Sequence, residues 1–527
     1  FDDLKQGKHG PEDYIKNVFP SRQNDMDIII IQDDPLLQIP SAYSQMNIMQ
    51  KVRFQPNGKW DFQYGFHYSN TSPYGRYDRH NRFRSGTLRY AEWDYGPQSW
   101  MMHNLSLTHK GNNSLYDDMS VKLAHQDFGE SRIERIFNQN IRTATEDKVA
   151  AYSLNWDFIK KTNNKNTIFY GFEYVYNDVV STGNLTNILN GQREDGTPRY
   201  PKATWTSTGV YFNNEYKISN KINLLAGLRY SQFSIRADFS DINKFYEFPF
   251  EKSVIKNGAV NGSLGAVYRP SDTWVIKVNL GTAFRSPNVD DVGKIFDSEP
   301  GAVVVPNPNL RAEYAYNADI GAAKIFNESI KIDITGYYTR LENALVRRNF
   351  KFNGRDSIFY LGALSQVQAI QNAANAQIFG LELGLELKIS KKLQFLSDIN
   401  YQRGEEEMDD GTKSPSRHAA PIFGISRLRY NDKKITLEIN SQYQGERKHH
   451  QLAIEERNKS EIYAKDTQGN TFSPAWYTLN FKFMYSLTKK IDIGGGIENI
   501  TDQRYRPFSS GISGPGRNFV ISVGCRF

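Results

Sequence analysis

Nearly the whole chain alternates with period two. Trp60-Asp-Phe-Gln-Tyr-Gly-Phe-His-Tyr68 puts Trp60, Phe62, Tyr64, Phe66 and Tyr68 on one face and Asp61, Gln63, Gly65 and His67 on the other. Ile330, Ile332, Ile334 and Tyr338 oppose Lys331, Asp333 and Thr335; Tyr477, Leu479, Phe481, Phe483 and Tyr485 oppose Thr478, Asn480, Lys482 and Ser486. The last strand sets Phe519, Ile521, Val523, Cys525 and Phe527 against Val520, Ser522, Gly524 and Arg526, and runs to the end of the chain. This periodicity is that of strands with one apolar face. Five aromatics on one face suit lipid and headgroup contact, whereas a core packed between two sheets would favour Val, Ile and Leu. An aromatic-ended terminal strand is an aggregation hazard in a soluble domain. In a membrane barrel it completes the wall.

Further strands are expected near 41–54, 99–108, 118–127, 147–159, 167–178, 204–217, 221–236, 258–269, 273–285, 311–325, 376–389, 391–403, 416–430, 433–445 and 490–500. Their connections fall into two kinds in strict alternation. Short turns occur around Asn57-Gly58, Asn163-Asn164, Ser219-Asn220, Pro270-Ser271, Asn327-Glu328, Ser390-Lys391, Asn431-Asp432 and Thr488-Lys489. Long loops cover 69–98, 179–203, 286–310, 345–375 and 446–472. A β-sandwich has no reason to sort its loops by end. An outer-membrane barrel does so, with short periplasmic turns and long extracellular loops.

Composition agrees. Only 39% of the 527 residues are hydrophobic, yet 13% are aromatic, as alternating transmembrane strands require. No run of 18 apolar residues is present, so no transmembrane helix is expected. The net charge of +7 is spread along the chain and forms no nucleic-acid footprint. The single cysteine, Cys525, excludes an internal disulfide and reads as a lipid-facing filler.

The fold class expected is therefore all-β: a transmembrane antiparallel up-and-down β-barrel. It has about 19 strands in this chain and about 22 in the intact protein, because bacterial barrels have even strand numbers and large plugged transporters have that many. Residues 1–40, with Gly7, Gly10, Pro11, Pro20, Pro35 and Pro40, are expected to be an extracellular loop remnant, and 41–527 the barrel.

Several motifs, in this order, resemble the barrel of a TonB-dependent outer-membrane receptor. Phe284-Arg-Ser-Pro287 followed by Asn307-Pro-Asn-Leu310 and Glu313 is similar to the family's mid-barrel signature. Gly336-Tyr-Tyr-Thr-Arg340 and Gly380-Leu-Glu382 match its strand patterns. Glu498-Asn-Ile-Thr-Asp-Gln-Arg-Tyr505, Pro515-Gly-Arg-Asn518 and the Phe-ended strand resemble its C-terminal pattern. The many Tyr and Asn, with Arg417-His-Ala-Ala-Pro421, look like versions from the Bacteroidetes. The resemblance implies energised uptake of a scarce nutrient, most simply a ferric siderophore. Haem or cobalamin import, or a passive channel, are alternatives. It also implies an N-terminal plug, a TonB box and first strands that this chain lacks, with TonB gripping the missing part. No resident cofactor is implied; the surroundings would be outer-membrane lipid and lipopolysaccharide.

Candidate ligand contacts lie mainly in loop 69–98. Arg76, Arg79 and Arg82 sit there among Tyr77, Tyr90 and Trp93, and arginine with aromatics can hold a planar anionic chelate by charge and stacking. Asp290 and Asp291 lie where haem receptors of the family can carry an iron-ligating histidine; 288–306 has none, offering also Asp297 and Glu299. His449 and His450 are weak metal candidates, since adjacent residues on an extended chain point apart. The acidic cluster Glu405-Glu-Glu-Met-Asp-Asp410 has the chemistry for a hard cation such as Ca²⁺. The chain has no Gly-x-Ser-x-Gly elbow, phosphate loop or His-Glu-x-x-His, which argues against an enzyme.

Overall fold

The computed structural model describes residues 2–526 except Ser85, Glu247, Pro300, Leu361, Gly362, Asp409 and His418; it describes no side chains at 297–299 and 373–374. The tip Phe527, the side chains of Asp297 and Glu299, Asp409 of the acidic cluster and His418 therefore lie outside the described residues.

Among the described residues, nineteen strands of eight residues or more follow one another round a barrel in hairpin order, with short strands added at the long-loop rim. They are β1 (Gln45–Phe54), β2 (Trp60–Thr71), β3 (Tyr90–Lys110), β4 (Asp118–Ile136), β5 (Ile141–Asn163), β6 (Asn166–Asn187), β7 (Lys202–Lys217), β8 (Ile222–Asp238), β9 (Lys252–Tyr268), β10 (Trp274–Arg285), β11 (Glu313–Phe326), β12 (Ile330–Asn349), β13 (Ala363–Lys388), β14 (Leu393–Glu407), β15 (Phe423–Asn431), β16 (Ile435–Gln444), β17 (Trp476–Ser486), β18 (Ile491–Glu498) and β19 (Asn518–Cys525). All are antiparallel to their neighbours, and each coincides with a stretch expected from the alternation. No described helix is long and apolar enough to cross a membrane.

The register fixes the faces. Phe66, His103, His125, Tyr152 and Tyr176 form one cross-strand row, and such rows carry aromatics round the outside. Phe62 and Phe519 are exposed on this face, and Trp60, Phe481 and Phe483 half-buried. The opposite face is polar and cross-linked. Arg229 pairs with Glu173 at 2.6 Å, Arg427 with Asp398 at 3.0 Å and Arg429 with Glu438 at 2.6 Å. Short-rim turns are tight; Asn327 and Glu328 both take positive φ (47° and 59°), as the hairpin between β11 and β12 demands.

Two expectations need correction. The first concerns strand length. β5 has 23 residues and β3 has 21, where the alternation showed about half as many. At roughly 3.3 Å per residue β5 spans about 75 Å, far beyond a tilted membrane crossing of about 9–11 residues. The outer halves stand in water, where neither face needs to be apolar. Their alternation therefore fades and they read as loop. Residues 90–98 and 179–187 are strand for this reason, and the connection from β4 to β5 is only 137–140.

The second concerns the backbone of residues 2–40, which forms short strands where irregular chain is expected. Val18–Gln23 and Met26–Ile31 form a hairpin turned at Asn24 and Asp25, both at positive φ, and Leu4–Lys5 pairs with Leu37–Gln38. The segment lies on the long-loop rim against the connection before β19. Gln38 and Ser513 exchange two hydrogen bonds, and buried Arg504 donates to the carbonyls of Gly10 and Pro11. The hairpin is also clamped to the wall: Arg135 makes two bonds to Asp27, at 2.7 and 2.9 Å, and one to Glu92 at 3.0 Å.

The order of strands brings β19 next to β1. Among the described residues no paired register joins them; β1 pairs with β2 and β19 with β18, and every residue of both is exposed. Among the described residues the larger buried apolar cluster is in the loop layer, where Phe239, Ile242, Val292 and Val303 pack on the outer ends of β7 to β9.

Two outcomes test this description. Ile334→Arg, on the outer face, should cost about 2–4 kcal/mol in unfolding from bilayers, and a lysine at inward-facing Thr335 far less. Asp27 has its carboxyl held below the usual range: burial raises it, but the Arg135 bonds, the Asn138 amide and Arg22 outweigh burial. Its stabilising contribution is thus present above the ordinary Asp value of about 4 and lost as pH falls through the lower folded value. Asp27→Asn should expose residues 18–31 to hydrogen exchange at neutral pH, and acidification should release them in the unaltered protein.

Candidate ligand-binding site

The connection between β2 and β3 turns through a single helical turn, α1 (Tyr77–His80), and sends its arginines along the start of β3. Arg76 donates to Asp78 at 2.8 Å and to the Tyr95 hydroxyl at 3.0 Å, and its amide donates to Trp93 O. These bonds lay Arg76 over Trp93 and Tyr95, at 5.3 and 5.8 Å from the ring centroids. Arg79 lies over the same indole at 5.3 Å. It is 9% exposed, and its Nε has no partner among the described residues. Burial, then the charges of Arg82 and Arg76, lower its pKa, so the protein holds a cation there against its own electrostatics.

These groups border a cavity of about 310 Å³ lined by Arg76, Arg79, Tyr90, Trp93 and Tyr95 on one side. Arg132, Arg199, Phe296, Tyr246 and Tyr360 close the other. Arg132 covers Tyr95 at 4.7 Å; Arg199 and Arg347 approach Phe296 at 5.9 and 5.4 Å. A second cavity of about 700 Å³ lies beyond Tyr360, which borders both, and carries Lys16, Arg82, Arg84, Arg89 and Lys459 against Glu455 and Glu461. Arg82 is held there by Glu461 at 2.8 Å. Together the hollows form a cationic, aromatic-walled site that can take a flat anion edge-on to guanidinium groups and face-on to rings.

Four residues expected from the sequence, Arg76, Arg79, Tyr90 and Trp93, meet in the first cavity; Arg82 faces the second. Tyr77 does not line either. It is 3% exposed, and burial pushes its hydroxyl up to about 12, so it props α1 rather than meeting a ligand. Asp290 and Asp291 are engaged elsewhere. Asp290 accepts from Tyr200 at 2.8 Å and pairs with Lys294. Asp291 caps α2 (Val289–Gly293) with Asn288 and pairs with Arg285 at 2.8 Å. His449 contacts Thr471 O at 3.0 Å, and His450 points into solvent. Glu405 binds Arg403 and Lys413, and Asp410 accepts from Thr412, so these carboxylates do not converge. Among the described residues no three His, Cys, Asp or Glu side chains could hold a metal ion.

Arg132, Arg199, Arg347 and Phe296 escaped the sequence reading. They come from β4, two long loops and β12, and only the register brings them together. A correct β3–β4 hairpin would have revealed Tyr95 opposite Arg132, and Trp93 opposite Glu134, which also lines the cavity.

Residues 32–500 match the model of the TonB dependent receptor-like β-barrel. The chain belongs to that family. It is an outer-membrane barrel, and its family and relatives are receptors and transporters rather than enzymes. It is 24% identical over 313 residues to haemoglobin-haptoglobin-binding protein A of Haemophilus influenzae, covering 52% of this chain and 28% of that protein. It is 25% identical over 376 residues to haem/hemopexin utilization protein C of Haemophilus influenzae strain 86-028NP, covering 67% of this chain and 47% of that protein. The chain thus spans less than half the length of either. Among solved structures, the copper transporter OprC has the same fold, with TM-score 0.73, 12% identity and coverage of 92% of this chain and 72% of that one. The ferric yersiniabactin receptor FyuA of Yersinia pestis gives 0.63, 14%, 92% and 71%.

Arg79→Gln should relieve the repulsion within the arginine turn and leave the fold intact. Thermal unfolding should be unchanged or slightly raised, while any anion that occupies the cavity binds more weakly.

Proposed function

We propose that the full-length receptor imports an anionic iron chelate, a ferric siderophore, recognised by charge and stacking in the two loop cavities. The observation that supports this is the convergence of Arg76, Arg79, Arg132 and Arg199 on Trp93, Tyr95 and Phe296 in a cavity with no histidine in its lining. A lining without histidine suits a ligand whose iron is already coordinated. Uptake would draw on TonB through a plug outside this chain. The exposed edges of β1 and β19, and the greater length of the relatives, support about three further strands between them.

Haem is the second reading. The relatives named for haemoglobin-haptoglobin binding and haem/hemopexin utilization favour it, and haem propionates would suit the same arginines. Haem would call for an axial ligand, which the cavity lining does not supply as histidine.

Growth of a deletion strain on ferric siderophores, haem and cobalamin, with binding to the purified receptor, separates the readings. Arg76→Gln with Arg79→Gln should weaken ferric-siderophore binding about thirtyfold, roughly 2 kcal/mol, and more at low salt. His449→Ala with His450→Ala should leave it unchanged. Growth on haem alone, with haem binding lost in the histidine variant, would replace the siderophore reading.

A further inference from the structure

Trp93 is the ring that both Arg76 and Arg79 cover, and α1 holds both of its backbone groups. Tyr74 and Gly75 pair with Tyr95 and Asp94 along the edge of β3 turned from β4, and there the short ladder ends. The chain then turns into α1, which takes over that edge with other groups. The Arg76 amide donates to Trp93 O at 2.9 Å. The Trp93 amide donates to His80 Nε2 at 3.2 Å, so a side chain stands where a strand carbonyl would be.

The same Nε2 lies 3.1 Å from Asp94 Oδ1. It thus faces a donor and an acceptor, and an imidazole nitrogen serves one or the other. Neutral His80 that accepts from Trp93 carries its proton on Nδ1, which is buried with no partner among the described residues. Protonated His80 carries a proton on Nε2 as well. It then bonds Asp94 charge to charge and can no longer accept from Trp93. The ring is 4% exposed, so water cannot readily take the place of the lost acceptor.

The charged groups around His80 are Arg76, Asp78 and Arg79 on its own turn and Asp94 on β3. Arg142 on β5 interacts with Asp94, and Arg506, from the connection before β19, with Asp78. Histidine is the side chain that ordinarily changes charge between about pH 5 and 8.

We propose that His80 is a positioning residue of the ligand site. Neutral, it fixes Trp93 beneath Arg76 and Arg79; protonated, it turns to Asp94 and loosens that wall, so anion capture weakens as pH falls. The charge gained does not reverse this sign. It forms against Asp94, which follows Trp93 in the strand and therefore faces away from the cavity. The effect on capture rests on the function proposed above; the switch between Trp93 and Asp94 does not.

The first test needs no ligand. Hydrogen exchange of the Trp93 amide is followed in the full-length receptor by mass spectrometry with fragmentation and corrected for the intrinsic rate. Its protection should fall several-fold from about pH 7.5 to about pH 5.5, across the range of histidine. In His80→Gln, whose Oε1 accepts at either pH, protection should hold. Equal protection at both pH values in the unaltered receptor, or an equal fall in His80→Gln, overturns the proposal. The second test is binding of a flat aromatic trisulfonate, whose charge is constant over that interval. Its affinity should fall several-fold in the unaltered receptor and stay level in His80→Gln. His80→Leu should bind weakly at both pH values, and the glutamine variant decides if the leucine variant does not assemble. Binding that does not change with pH, or no binding, overturns the role in capture.

Discussion

Inside hydrocarbon each backbone amide and carbonyl must find a partner within the protein, at a cost of several kcal/mol for each that does not. The ladder of this barrel answers that demand, and the rest of the molecule is arranged around it. Side chains alternate because the two sides of the ladder meet different media. Two places strain the rule. Where β9 and β10 stop pairing beyond Ser263 and Gly281, the Gly262 amide donates to the Thr282 hydroxyl in place of a rung. At β1 and β19, neighbours in the strand order, no register joins the two facing edges among the described residues.

Above the membrane the constraint is relaxed and a different physics takes over. The outer strand ends and long loops build a second layer with its own apolar core around Phe239, Ile242 and Val303. Ion pairs there are buried and multiply bonded, as at Asp27 and Arg135, so removing one partner would strand the other in a dry site. Buried Glu456 plays the same part in the loop between β16 and β17, gathering Arg417, Lys459 and the Tyr463 hydroxyl. The long loops are thus a packed cap in which arginines can be held in fixed orientations.

The legible part of the sequence was the part in contact with lipid. Trp60 to Tyr68 declares its strand because one face must be apolar. Tyr90 to Gln98 does not, because above the membrane Trp93 and Tyr95 answer to Arg76 and Arg132 instead of to lipid. The arginine–aromatic composition of 69–98 was visible, and so half the cavity was. The other half comes from Arg132, Arg199 and Phe296, whose nearness depends on register and loop packing that no local pattern encodes. Tyr77 misled for a related reason: an aromatic among arginines reads as a stacking surface, yet a one-turn helix needs one side chain to anchor it.

The arginine turn carries an electrostatic cost that the fold does not offset within itself. Arg76, Arg79 and Arg82 lie within one turn of chain, and Asp78 and Glu461 are the carboxylates that meet them directly. Among the described residues Arg79 makes no ion pair and its Nε has no partner, although it is nearly buried and its two neighbours repel it more than Asp78 attracts it. Stability alone would favour a neutral residue there. A cation held in that setting is worth its cost if an anion arrives from outside, because the same low-dielectric surroundings that make the repulsion expensive make the attraction strong. The rings of Trp93 and Tyr95 hold the guanidinium groups in place beforehand, so little freedom is lost when the anion docks. Under the proposed function, this cost is what the cavity spends to hold its cations ready for an anion.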